Sequence, residues 1–223
     1  MLLAEELALV AVDPDTGRHA TGTRSHLNAT LAGLLVAELM LDSVAGPGRR
    51  NGEVVLLSDR PPASPVLAAA AAVVAGKGPR IKAVLSHMSR GIESRLGYGT
   101  WEAALVGLAE AGVLSPARGA VRPTTEVLDT RPRQALVARL QAAAATDDPM
   151  DPRTALLLNM TGPASLLEVV APGRGGRRHA RRRIDKGLDG TDFEPVGKAV
   201  RRVLADAAAA GGAVAGGAVV AGG

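Results

Sequence analysis

Only one Tyr, one Trp and one Phe (Tyr98, Trp101 and Phe193) occur in the 223 residues of this chain, and that scarcity limits what it can build. Apolar residues make up 47% of the sequence and aromatics 1%, so Leu, Val and Ala must supply nearly all of the core. Ala and Leu head the helix-propensity scale. The expected fold is therefore mainly α, a single helical domain with an apolar helical core. The length suits one large domain or two small ones. No linker is long enough to divide the chain, so residues 1–210 are expected to form the domain. Residues 211–223, built of Ala, Gly and Val, are expected to be a disordered tail.

The elements can be placed from periodicity and punctuation. Leu2–Val12 reads as a short helix or a buried strand. Asp13–Gly17 reads as a turn, with Pro14 fixing φ and Gly17 free to take positive φ. Leu27–Leu41 is apolar almost all round and predicts a central buried helix, with Asn28 near its start as a cap. Glu38 lies inside that helix, where a charge must be paired or face a cleft. Glu53–Leu57 reads as a short strand, and Pro65–Ala75 as a helix ended by Gly76 and Gly78. Ile81–Leu96, Thr100–Ala111 and Arg131–Ala145 follow as helices, with Gly112 as a stop and Pro132 in a first turn. Ser115–Thr125 suits a β-hairpin or wing. Pro152–Val170 predicts two short helices broken at Gly162–Pro163. Gly173–Gly176 reads as a flexible connection, and Ala180–Leu188 and Val196–Ala210 as closing helices.

Catalytic constellations are weak in this sequence. No cysteine occurs, which removes disulfides, thiolate nucleophiles and cysteine-held metals. His19, His26, His87 and His179 are scattered without zinc-ligand spacing. There is no nucleophile elbow and no phosphate-loop motif. Asp147, Asp148 and Asp151 form an acidic cluster, read here as helix capping and loop solvation around Pro149 and Pro152. The chain is thus expected to be no enzyme, with no catalytic residue, metal or cofactor. The opening residues carry Glu5 and Glu6 and no basic region, unlike a signal peptide. No run approaches the about 20 apolar residues of a spanning helix.

Charge is concentrated in one place. Arg174–Lys186 holds seven cations against Asp185, a local charge of +6 in a chain whose total is +4. A concentrated patch implies an anionic partner. Arg177, Arg178, Arg181, Arg182, Arg183 and Lys186 are its candidate membrane-facing residues, since a guanidinium donates two hydrogen bonds to one phosphate. Tyr98 and Trp101 stand three apart and would share a helix face, either as interfacial anchors or as core.

Several segments together carry a resemblance. They are LLAEELALVAVDPDTGR with NATLAGLLVAELML, LAEAGVL (Leu108–Leu114), RPTTEVLDTRP (Arg122–Pro132) and DPRTALLLNMTGPASLLEVVAP (Asp151–Pro172). In order and spacing the chain resembles the Golgi phosphoprotein 3 family, from about Leu2 to Ala210. Its Ala, Gly and Arg richness looks like that of a GC-rich genome, which suggests a bacterial, actinobacterial, member. The resemblance implies a peripheral membrane protein that recognises a phosphoinositide headgroup, phosphatidylinositol 4-phosphate. It also implies a small projecting β-hairpin used in homo-oligomerisation, which falls at 115–125. Aligned through Ala37–Leu39 and Gly112–Leu114, the family's headgroup Trp falls on Thr23 and its Arg positions on Ala32, Tyr98 and Trp101. Arg24, Arg90 and Arg95 are the nearby cations that would take their place.

The expected function is binding of anionic phospholipid through a basic surface, at the cytoplasmic, inner face of a membrane. A second reading takes Thr100–Leu114 and Ser115–Thr125 as a recognition helix and wing for nucleic acid, with Arg118 and Arg122 on the wing. Glu102 and Glu110, and the lack of any Lys or Arg in WEAALVGLAEAG, weigh against it.

Overall fold

The computed structural model describes residues 1–18, 24–90, 99–116 and 125–216, with backbone alone at 24, 25 and 210–216. Ten helices and one two-stranded sheet lie among the described residues, so the protein is mainly α. The order is α1 (Leu3–Ala11), α2 (Arg24–Leu41), β1 (Ala45–Pro47), β2 (Val54–Leu56), α3 (Pro65–Lys77), α4 (Ile81–Arg90) and α5 (Thr100–Glu110). It continues with α6 (Arg131–Ala145), α7 (Pro152–Thr161), α8 (Leu167–Val170), α9 (Arg174–Lys186) and α10 (Glu194–Gly216).

The centre is α2, which touches α1, α3, α4, α5, α7 and α10. Leu27, Leu31, Leu34, Leu35, Val36 and Leu39 are fully buried along it, as a helix surrounded by others requires. The approach of α10 depends on Gly33. A Cβ there would stand 2.4 Å from Val200 Cγ2. The opening segment, left as helix or strand by its sequence, is helix α1, and Leu3, Leu7, Leu9 and Val10 bury completely. Glu5 reaches back to accept from the Leu2 amide at 2.8 Å, which ties down the helix start.

Asn28 is not the start cap of its own helix, because α2 begins four residues earlier. Its Oδ1 accepts instead from the Trp101 amide at 3.0 Å. The start of α5 needs that bond, since Gly99 at its N-cap has no side chain to supply one. The Asp13–Gly17 turn forms as read, with Gly17 at φ 63. Its carbonyl accepts from Thr125 at 3.1 Å, and a Cβ on Gly17 would strike the Thr125 oxygen.

β1 and β2 pair antiparallel, Ala45 opposite Leu56 and Pro47 opposite Val54. The hairpin read at 115–125 falls mostly on residues 117–124, outside the described residues. At its base Leu114 and Val127 bridge antiparallel, and the Ser115 amide donates to Glu126 O at 2.8 Å.

Two boundaries near the C-terminus differ from the sequence reading. Gly173–Gly176 is not a connection: Gly173 takes φ 79 as the N-cap of α9, and the next three residues are its first turn. Ala180 and Ile184 bury one side of this helix and hold the glycine-rich turn in register. The last helix runs from Glu194 to Gly216, beyond the expected end at residue 210.

Candidate functional site

Two charged systems occur in the molecule, and their hydrogen bonding separates their roles. The first is internal. Arg153, at the start of α7, donates from Nε to Glu6 Oε1 at 3.0 Å and from Nη1 to Glu38 Oε1 at 2.8 Å. Its Nη2 donates to Met1 O at 2.6 Å. Glu38 Oε2 accepts from the Leu3 amide at 2.6 Å, and Arg139 Nη2 donates to Glu6 Oε2 at 2.7 Å. The Glu38 side chain is only 7% exposed. Burial works against the Arg153 charge, yet hydrogen bonds and attraction from Glu38 and Glu6 outweigh it and hold the guanidinium above its usual pKa. Every charge here is answered, so this cluster clamps α1, α2, α6 and α7 together and has no free group for a ligand.

The second system is α9. It is fixed from several sides: Asn159 Nδ2 on α7 donates to Ile184 O at 2.8 Å, and Arg183 donates to Asp148 O. Arg177 pairs with Glu168 on α8. Two of the six sequence-predicted cations, Arg177 and Arg183, are thus spent on positioning the helix. Arg178, Arg181, Arg182 and Lys186 remain, all exposed. Arg174, Arg178, Arg182 and Lys186 follow one another at four-residue spacing and form one row, on the side opposite Ala180 and Ile184. No carboxylate pairs with any of the four among the described residues. Asp185 is the acid nearest the row in sequence and does not cancel it.

The remaining candidates are less gathered. Arg90 ends α4 and is exposed. Burial first, then repulsion from Lys77 and Arg90, pushes His87 below its usual 6.5, so Arg90 and Lys77 form a small cationic corner. Arg24 starts α2 with only its backbone described, and Arg95 and Tyr98 lie outside the described residues. Trp101 is 5% exposed and packs in the apolar core, which matches the core reading of that residue rather than an interfacial anchor. Asp151 caps α7 by accepting from the Thr154 amide at 3.0 Å. No group of three or more potential metal ligands occurs among the described residues.

A family model described as Golgi phosphoprotein 3 (GPP34) matches residues 3–207. The chain belongs to the Golgi phosphoprotein 3 family. No curated protein matches it. The Golgi phosphoprotein 3 match runs from the first residue of α1 into α10, and so takes in both charged systems. That family is one of lipid-binding adaptors rather than enzymes. Among the described residues no helix is long and apolar enough to cross a membrane.

In this Golgi phosphoprotein 3 family member, two features escaped the sequence. One is the partner of Glu38: a buried acid in an apolar helix signals a cation, but the residue lies 115 positions away. The other is a groove of about 470 Å³ between α6 and the start of α9, which only packing creates.

Proposed function

We propose that this protein is a non-enzymatic peripheral membrane protein that binds anionic phospholipid through the outer face of α9. The row Arg174, Arg178, Arg182 and Lys186, free of carboxylate partners among the described residues, is the observation that carries this reading. Near an anionic bilayer each such residue contributes about 1 kcal/mol, screened by salt. Four on one face of a rigidly docked helix can hold the protein at the headgroups without a spanning segment. Family membership supports the same reading, with phosphatidylinositol 4-phosphate as the headgroup to test first and the inner, cytoplasmic face of a membrane as the place. Arg90, with Arg24 and Arg95, is the proposed headgroup-selective set, apart from the α9 row.

Vesicle flotation tests this. Vesicles of phosphatidylcholine alone, with phosphatidylglycerol, and with phosphatidylinositol 4-phosphate at equal total charge are compared in low and moderate salt. Binding to both anionic vesicles that fades with salt is expected from the α9 row. Additional, salt-resistant binding to the phosphoinositide is expected if Arg24, Arg90 and Arg95 form a headgroup site. Flotation with phosphatidylcholine alone, or with none of the vesicles, would overturn the reading.

A further inference from the structure

Directly beside the cationic row lies the groove of about 470 Å³, lined among others by Ala144, Ala145, Val170, Pro172, Gly175 and His179. Its volume falls within the range of about 300–1,000 Å³ typical of ligand pockets. Hydrocarbon dominates its surface, and none of its lining residues is an acid. Gly175 and His179 each follow a member of the row by one residue and sit four apart. They therefore form the adjacent row of the helix, turned toward α6. Cations and groove are thus neighbouring strips of one surface.

His179 marks the seam between them. Its Nδ1 lies 3.4 Å from Arg182 Nη2. A guanidinium only donates, so Nδ1 accepts and the ring proton sits on Nε2. That Nε2 is buried and has no hydrogen-bond partner. Asp147 Oδ1 stands 3.8 Å away, beyond hydrogen-bond reach. A buried donor left unanswered at the edge of an apolar groove fits an oxygen brought by a ligand.

We propose that the groove seats a hydrocarbon chain of a single anionic phospholipid. Its phosphate lies on Arg178 and Arg182, and His179 Nε2 donates to an ester or phosphate oxygen where head and chain meet. The inference rests on the reading of α9 as an anionic-lipid face, and narrows it from a flat charged surface to a site for one molecule. Apolar floor, orphan donor and cations occur in the order an amphiphile presents chain, ester and phosphate.

Two soluble probes separate the site from the surface: short-chain phosphatidylglycerol below its micelle concentration, and glycerophosphoglycerol, the same headgroup without chains. Binding of each to the full chain is followed by nuclear magnetic resonance titration, with flotation on phosphatidylglycerol vesicles run in parallel. The wild type is expected to bind the acylated probe about tenfold more tightly than the bare headgroup. Ala145→Trp fills the groove from its exposed rim, and should bring that ratio to near one while leaving headgroup binding unchanged. Gly175→Leu is a second filler at a position where an added side chain meets open space, should the first variant melt early. Flotation with equal affinity for the two probes would overturn the chain site and leave the surface reading standing. Loss of flotation together with both titrations would overturn both. An undiminished ratio in folded Ala145→Trp and Gly175→Leu would place the chain elsewhere and overturn the assignment.

Discussion

Glu38 is a carboxylate within a helix apolar on almost every side, and its need for a partner is legible from that alone. Which residue answers it is not, because Arg153 reaches it only after α7 packs across α1 and α2. The pair is a clamp rather than a site, and its value shows in asymmetry. Arg153→Ala leaves Glu38 without a cation, leaves Glu6 to Arg139 alone and frees the Met1 carbonyl. Breaking one side of such a buried pair costs about 3–5 kcal/mol. For a domain of this size that lowers Tm by roughly 2–4 °C per kcal/mol. Replacing both partners, as Glu38→Gln with Arg153→Met, is expected to cost less than Arg153→Ala, because no buried charge is left unanswered. Thermal melting of the three proteins checks the order. A double variant that melts below Arg153→Ala would show that the clamp acts through charge attraction itself. Trp101 teaches the complementary lesson. Its spacing from Tyr98 left both an interfacial and a core role open, and only its burial behind the Asn28 bond decides.

At the level of elements, most helices were readable because apolar periodicity and punctuation agree. Arg131–Ala145 has Pro132 in its first turn, and the break at Gly162–Pro163 separates α7 from α8. The start of α9 was not readable, since three glycines argue against helix locally and only Ala180, Ile184 and the Asn159 bond override them. The close approach of α2 and α10 was equally hidden, because Gly33 looks like a mild defect in a good helix. Gly33→Ala should press on Val200 and cost about 1–3 kcal/mol as overpacking. Combined with Val200→Ala it should cost less than the two single changes added together. Additive losses in denaturant unfolding would mean that the two helices do not meet there. For α9, Arg178→Ala with Arg182→Ala should lower flotation on phosphatidylglycerol vesicles at low salt. Arg177→Ala should instead lower Tm while leaving charge on the outer face, because Arg177 is held by Glu168. Equal effects of the two variants on flotation would mean that the whole helix, not its outer row, meets the lipid.

For the molecule as a whole, stability should depend on pH in two separate stages, both with the same sign. His87 is held below its usual 6.5, by burial first and then by Lys77 and Arg90. The unfolded chain therefore binds this proton more readily, and stability is lost as pH falls through 6.5 toward the depressed folded value. The second stage belongs to carboxylates held down in the folded state. The Thr16 amide lowers Asp13 and the Arg131 guanidinium lowers Asp129, each below 3.8, and Lys198 with the Gly190 amide lowers Glu194 below 4.5. Their contribution is present above those ordinary values and disappears as pH falls through the depressed ones. These acids are part-buried but open to solvent, Asp129 at 30% and Glu194 at 28% exposure, so screening makes the second stage a gradual decline rather than a collapse. Melting from about pH 7.5 down to 3 resolves the stages. His87→Gln should flatten the curve between about pH 7.5 and 5.5 and leave the acid limb unchanged. A wild-type loss in the upper range that survives the substitution would move its source from the α4 corner to another group.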